Sequence, residues 1–349
     1  MPDLNFIRKN VITIGMVSFL VIFYSAVILF DFVAKKDAPS APTEPVKKSE
    51  RMTAKEIQEK ETRFRENLMA RPRLLTAVTS SALFVLCTGL LLNLYFWVKR
   101  MRGQRLISGG QPQRDVGWGL AEVVQVFVLL FFIDTCLLLM EVAFASSFHW
   151  GPDQKDFLLM LNSFIRDLLV AAFVVLMIRY RFRQPLSDIG LTFDQFIKNV
   201  RIGFVAYWAI LPLLCLVLLG VAAAAQFFSY EPPPQPVVEI YLKETQQPTI
   251  VFFTFFVALV GPVIEEIFFR GFAYKALRTR FGARAAILGT AAIFASLHMS
   301  VIAFLPILLL GIFLAYLYEK TGSLVPSMTS HMIHNVFMVA FTLGFKSLS

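Results

Sequence analysis

The sequence predicts an all-α polytopic membrane protein of about nine transmembrane helices, each needing roughly 20 apolar residues. Three observations predict it. The chain of 349 residues is 57% hydrophobic and only 16% charged, which is too little polar surface for a soluble domain. Its mean hydropathy is +0.65. Its apolar residues fall in long runs separated by charged or Pro-rich segments, and its 36 phenylalanines suit a lipid-facing surface.

The first run, near 11–33, follows Arg8 and Lys9. It is long enough to span, and no small-residue cleavage site stands out after it. Residues 1–34 therefore read as an uncleaved first transmembrane helix rather than a signal peptide. Residues 35–73 differ in kind. DAPSAPTEPVKKSE is a Pro-, Ser- and charge-rich linker. MTAKEIQEKETRFRENLMARPR alternates acids and bases, as a short exposed helix or a continuation of the second span. The remaining spans lie near 74–98, 118–146, 157–179, 202–228, 248–275, 284–300, 302–318 and 324–345. Residues 74–184 form an N-terminal transmembrane region of unassigned role, and 185–349 form a C-terminal bundle. Within it, LSDIGLTFDQFIKNV, 186–200, is amphipathic and is expected to lie along the cytoplasmic interface.

Two loops are strongly basic, Lys99–Arg114 and Arg179–Pro185, and positive-inside counting places them in the cytoplasm. Loops 147–156 and 229–247, the second marked by Pro232, Pro233 and Pro234, are then external. The N-terminus is cytoplasmic and the C-terminus external, in a multi-pass protein of the cell (inner) membrane. One loop disagrees, because 35–73 would be external yet carries net positive charge. The net charge of +9 is read as this cytoplasmic excess of Lys and Arg, not as a nucleic-acid partner. Cys87, Cys136 and Cys215 sit in apolar runs and read as small buried hydrophobes, not as disulfides or a metal cluster.

The segment GPVIEEIFFRGF, 261–272, puts charge where a spanning helix should carry leucines. A charge at the bilayer centre costs roughly 2.5–3.5 kcal/mol, so such groups pair or face a polar cavity. Glu266 and Arg270 are four apart on a helix and are expected to pair. Glu265, rotated by about 100°, is left over. IFASLH places His298 in the next span, and SHMIHN places His331 and Asn335, again four apart, in the last. His334 points elsewhere. Each of these groups needs a partner, and the cheapest arrangement is one wet cavity. A carboxylate and a neutral imidazole can hold and deprotonate a water. A second histidine and an amide can donate to the oxyanion of a tetrahedral intermediate. These types suit peptide hydrolysis. Gly-x-Ser-x-Gly and HExxH are absent. Elsewhere, Asp134, Glu141, Arg166 and Asp167 lie in or near spans, and Glu141 is expected to pair with Arg166. His149 falls in an external loop.

GPVIEEIFFRGF, IFASLH and GIFLAYLYEKTGSLVPSMTSHMIHN, in that order, resemble the successive motifs of the CPBP family of CAAX-processing and bacteriocin-processing (Abi) membrane proteases, which includes the Rce1-type endopeptidases. The pattern EExxxR is met by Glu265, Glu266 and Arg270, FxxxH by Phe294 and His298, and HxxxN by His331 and Asn335. The resemblance covers about 185–345 and looks more like bacterial members. It implies an intramembrane endopeptidase with a catalytic cavity in the C-terminal bundle. Glu265 would be the general base, assisted by His298, and His331 with Asn335 would form the oxyanion site. Glu266 and Arg270 would support Glu265, and Phe294 would pack beside the site. A zinc would want three protein ligands, which Glu265, His298 and His331 could supply. Asn335 suits an oxyanion site better, so a metal-free glutamate protease without cofactor is preferred. The implied partners are the lipid bilayer and a peptide or membrane-protein substrate. The alternative is a non-catalytic scaffold or bacteriocin-immunity-type binding protein. A transporter predicts internal repeats, and no duplicated half stands out.

Overall fold

The computed structural model describes residues 4–37, 52–104, 106–107, 113–145, 152–230 and 235–349. Much of the linker (38–51), part of the basic loop (105 and 108–112), His149 with 146–151, and Pro232–Pro234 lie outside the described residues. Among the described residues every regular element is helical, as an all-α polytopic membrane protein requires. Among the described residues seven segments are long and apolar enough to cross a membrane. One of them, Gln247–Leu297, is two helices joined at Gly282, where φ 80° and ψ 169° leave the helical region. The last helix, Leu324–Leu348, is not among the seven, because Ser327, Ser330, His331, His334 and Asn335 lower its hydropathy. The sequence reading of about nine spans counts the two arms of that segment separately and includes the last helix.

One compact unit comprises residues 1–51 and 121–173. Its helices are α1 (Leu4–Asp37), α4 (Leu120–Ala145) and most of α5 (Pro152–Leu176). Phe19 meets Phe132 edge-on at 5.4 Å, and Gln125 Nε2 donates to Asn10 Oδ1 at 2.8 Å, which docks α1 on α4. Arg166 does not take Glu141 as its partner. It reaches Asp134 at 3.3 Å and Asp167 at 2.8 Å. Asp134 and Glu141 are two helical turns apart on one stripe of α4, and counting from loops could not fix which turn faces α5.

The second unit comprises residues 52–120 and 174–349. The charged segment resolves as a separate short helix, α2 (Ala54–Met69), capped by Thr53 and ended before Pro72, where α3 (Pro72–Met101) begins. α3 packs on α6 (Phe196–Phe227). Gly89 allows this, since a Cβ there would lie 2.7 Å from both the Pro212 ring and the Trp208 carbonyl. Pro212 cannot donate inside α6, and Asn93 Nδ2 binds the nearby Ala209 carbonyl at 2.6 Å. The amphipathic segment 186–200 is divided between a 3-10 turn, a short link and the first residues of α6. Leu186–Ile189 is a 3-10 turn, Gly190 takes φ 77°, and Gln195 takes φ 53°. Tertiary contacts decide this. The Gly190 carbonyl accepts from Leu324 N at 2.9 Å, and a Cβ on Gly190 would lie 2.5 Å from the Gly322 carbonyl. The turn is thereby clamped against the link between α11 (Val301–Thr321) and α12 (Leu324–Leu348).

Two elements close the ends of this unit. Residues 113–119 lie across one end of the bundle. Gln113 Nε2 donates to Tyr318 O at 2.9 Å, Lys275 Nζ to Arg114 O at 3.1 Å, and Trp118 Nε1 to Phe272 O at 3.1 Å. At the other end, α2 and α7 (Pro236–Lys243) meet the end of α12. Phe64 contacts Phe345 with ring centroids 5.0 Å apart, and Lys346 donates to the Glu244 carbonyl.

Candidate active site

The GPVIEEIFFRGF segment lies on an irregular rod. α8 (Gln247–Phe255) passes through a π turn, Phe256–Val260, into α9 (Gly261–Glu266). A second π turn, Ile267–Ala273, leads into α10 (Tyr274–Leu297). π turns concentrate at functional sites because the extra residue re-aims side chains and loosens the carbonyl ladder. Up to Gly282 the rod is roughly 50 Å long by helical rise, more than the ~30 Å hydrocarbon thickness. Glu265 and Glu266, at the end of α9, lie near its middle.

The two adjacent carboxylates have different fates. Glu266 Oε1 accepts from Arg270 Nη1 at 2.8 Å, and both side chains are almost fully buried, at 0% and 1% exposure. Arg270 also donates Nη2 to the Gly311 carbonyl at 3.2 Å, and its guanidinium lies 4.8 Å from the centroid of Phe294. The carboxylate, the carbonyl and the aromatic face compensate this planar cation in part, while Arg270 Nε and Glu266 Oε2 are buried without a hydrogen-bond partner among the described residues. The Glu265 side chain retains 33% exposure. Its neighbour's charge is neutralised, while its own faces water.

His331, on α12, sits between them. Its Nδ1 lies 3.0 Å from Glu266 Oε1 and its Nε2 lies 3.5 Å from Glu265 Oε2. Carboxylates accept only, so the shorter contact places a proton on Nδ1. With Nδ1 engaged by Glu266, Nε2 is the nitrogen that can give or take a proton at Glu265. Asn335, one turn on, donates Nδ2 to the Val257 carbonyl inside the first π turn at 2.7 Å. A primary amide has two hydrogens, so one remains for another acceptor.

His298 caps the end of α10. Its Nδ1 lies 2.8 Å from the Phe294 carbonyl, an acceptor, so Nδ1 carries the proton and Nε2 is free to accept. Phe294, 1% exposed, is the hub. It meets His298 at 4.8 Å, His331 at 5.7 Å and Phe269 at 5.1 Å, all edge-on. Glu265, Glu266, Arg270, His331 and Phe294 are thus one contact network, and His298 joins it through Phe294. Among the described residues no hydrogen bond or ion pair links His298 to Glu265. Nor do any three His, Cys, Asp or Glu side chains converge as metal ligands. His331 Nδ1 faces Glu266 and His298 Nδ1 faces the Phe294 carbonyl, so a metal here would have to be met by the two Nε2 atoms and Glu265.

His334, which the sequence directs away from this network, lies 3.3 Å through Nδ1 from the Tyr207 hydroxyl on α6. Sequence reading missed Tyr207 and the Val257 and Gly311 carbonyls. The carbonyls have no residue-type signal, and Tyr207 lies about 60 residues before the motif in an apolar run.

Residues 247–337 match the family model described as type II CAAX prenyl endopeptidase Rce1-like. The match supports the CPBP/Rce1-like family and spans Glu265 through Asn335. No curated protein and no solved structure matches the chain.

Proposed function

We propose, with the Rce1-like segment 247–337 as premise, that this chain is an intramembrane endopeptidase that hydrolyses a peptide bond of a membrane-associated protein or peptide. One observation carries the reading: of two adjacent carboxylates, Glu266 is neutralised in a buried pair with Arg270 while Glu265 stays open to water beside His331. A carboxylate relieved of its ion pair and facing water is a general base.

The steps follow from the donors and acceptors. Glu265 takes a proton from a water as the water oxygen forms a bond to the scissile carbonyl carbon. The carbonyl oxygen becomes an oxyanion, and the second Asn335 amide hydrogen donates to it. The proton on Glu265 passes 3.5 Å to His331 Nε2. The imidazolium so formed is stabilised through Nδ1 by Glu266. When the C–N bond breaks, that proton goes to the leaving amine and the neutral His331 imidazole is restored. His298, with Nε2 free to accept, assists the water. His331 in this scheme holds a proton first and donates second, which extends the oxyanion role implied by the family resemblance. No metal enters the scheme.

The test compares membrane and secreted proteomes of cells carrying wild type or Glu265→Gln at matched levels. A defined protein should accumulate uncleaved in the variant, with its fragment missing. The purified wild-type protein should then cleave that protein in the presence of a chelator. Prenylated and unprenylated forms of the substrate separate a CAAX-type preference from a plain peptide one. If no product differs and Glu265→Gln rescues a deletion phenotype, the chain is a scaffold and the proposal fails.

A further inference from the structure

We propose that α6 is the positioning element of the site and that Tyr207, through His334, is a positioning residue for His331 and Asn335. This deepens the catalytic reading above and rests on it. α6 lies outside the matched segment 247–337.

Three contacts run along the crossing of α6 and α12. Asn199 Nδ2 donates to Ser323 Oγ at 3.4 Å. Ser330 Oγ donates to the Gly203 carbonyl at 2.8 Å. The Tyr207 hydroxyl lies 3.3 Å from His334 Nδ1. On α6 the members are 199, 203 and 207, each four apart, so they form one stripe. On α12, Ser330 and His334 are also four apart and form the facing stripe. Each is followed at once by a candidate catalytic residue, Ser330 by His331 and His334 by Asn335. One residue is about 100° of helical rotation. The stripe that grips α6 therefore dictates where the next stripe points, and that stripe meets the α9 carboxylate at His331 and the Val257 carbonyl at Asn335.

The grip is close as well as polar. A Cβ on Gly203 would lie 2.4 Å from the Pro326 carbonyl and 2.8 Å from Thr329 Cβ, so the two backbones approach directly. Tyr207 is 1% exposed and stacks on Phe337 at 6.1 Å. In an apolar interface without the water-driven effect, small residues and hydrogen bonds are what fix helix rotation. Apolar side chains alone tolerate rotation of one helix against another. The three polar contacts do not.

The chain has four histidines, so ¹⁵N-histidine labelling in lipid nanodiscs resolves each imidazole once single His→Gln variants assign them. Tyr207→Phe removes only the hydroxyl. It should move the resonances of His334, which it touches, and of His331, which it does not. On the substrate found with Glu265→Gln, kcat should fall about 10- to 100-fold with KM unchanged, as expected when a reacting group is displaced by about 1 Å or less. If His334 moves alone, the bond is local and the proposal is overturned. If Tyr207→Phe does not fold, Ser330→Ala serves instead. It should move His334 one turn away, and an unmoved His334 overturns the proposal. A moved His331 with intact cleavage in Glu265→Gln sinks the protease reading and leaves α6 as a structural clamp only. Lost cleavage in Glu265→Gln with an unmoved His331 sinks the clamp alone.

Discussion

Replacing Glu266 by Gln and Arg270 by Met, singly and together, should show strong non-additivity. Both side chains are at most 1% exposed and meet at 2.8 Å. Removing one partner leaves the other charge buried alone, which costs roughly 3–5 kcal/mol. Arg270→Met should sit at the upper end, because Glu266 then keeps no full cation, only His331 at 3.0 Å and the Ser327 hydroxyl. Glu266→Gln should sit at the lower end, because Arg270 keeps the Gly311 carbonyl and the Phe294 face. The double variant removes both charges. The amide oxygen introduced by Glu266→Gln can still accept from His331, so the main loss is the donor to Gly311 O, about 1–3 kcal/mol. The two singles sum to roughly 6–10 kcal/mol, and the double should cost several kcal/mol less. The assay is reversible unfolding in mixed detergent–SDS micelles, followed by the fluorescence of the four tryptophans. Single-variant costs near 1 kcal/mol that simply add would refute the reasoning. They would mean that Glu266 is not an ion held by Arg270, and Glu265 would lose its distinction from its neighbour.

Other outcomes follow from the same geometry. Gly203→Ala puts a Cβ 2.4 Å from the Pro326 carbonyl, a backbone atom that cannot swing away. It should destabilise by about 1–3 kcal/mol and lengthen the bond from Ser330, measured by the same unfolding assay and by proteolysis rate. An undiminished stability would show that the helices do not cross as closely as this. At the surface, the Thr53 backbone N–H, and then its hydroxyl, hold the Glu56 carboxyl below its usual 4.5. A lowered folded pKa stabilises above the unfolded value and loses that stabilisation as pH falls through the folded one. Amide protection factors in the first turn of α2, corrected for the intrinsic pH dependence of exchange, should therefore fall as pH drops below 4.5. Glu56→Gln should abolish that dependence, and its persistence would remove the capping box as the cause.

Much of the site is legible because its parts obey local rules. Glu266 and Arg270 are four apart, and four residues bring side chains together on α-helical and π-helical backbone alike. Their pairing therefore survives the π turn at Ile267–Ala273. Phe294 and His298 are also four apart, and they meet for the same reason. The pairing of Arg166 is not legible, because it depends on the register of two neighbouring helices. The irregular path of 186–195 is not legible either, because the clamp of Gly190 against Gly322 is a contact between distant residues. The Tyr207–His334 contact spans 127 residues and has no signature in the sequence.

The amino-acid order was enough to set the solvent and the chemistry of this protein. Long apolar runs require a bilayer, and carboxylates, histidines and an amide inside those runs must be paired or wet, because desolvated charge is costly. The four-residue spacing already told Glu266 from Glu265, and the packed helices settled that the first is dry and the second open to water. Glu265 and Glu266 are adjacent and chemically identical. Arg270, held by Gly311 and Phe294, pairs with the buried Glu266, while Glu265 is left partly open beside His331. That division depends on where α11 and α12 come to rest against α9, and close packing between helices distant in sequence sets that position, not the period of any one of them.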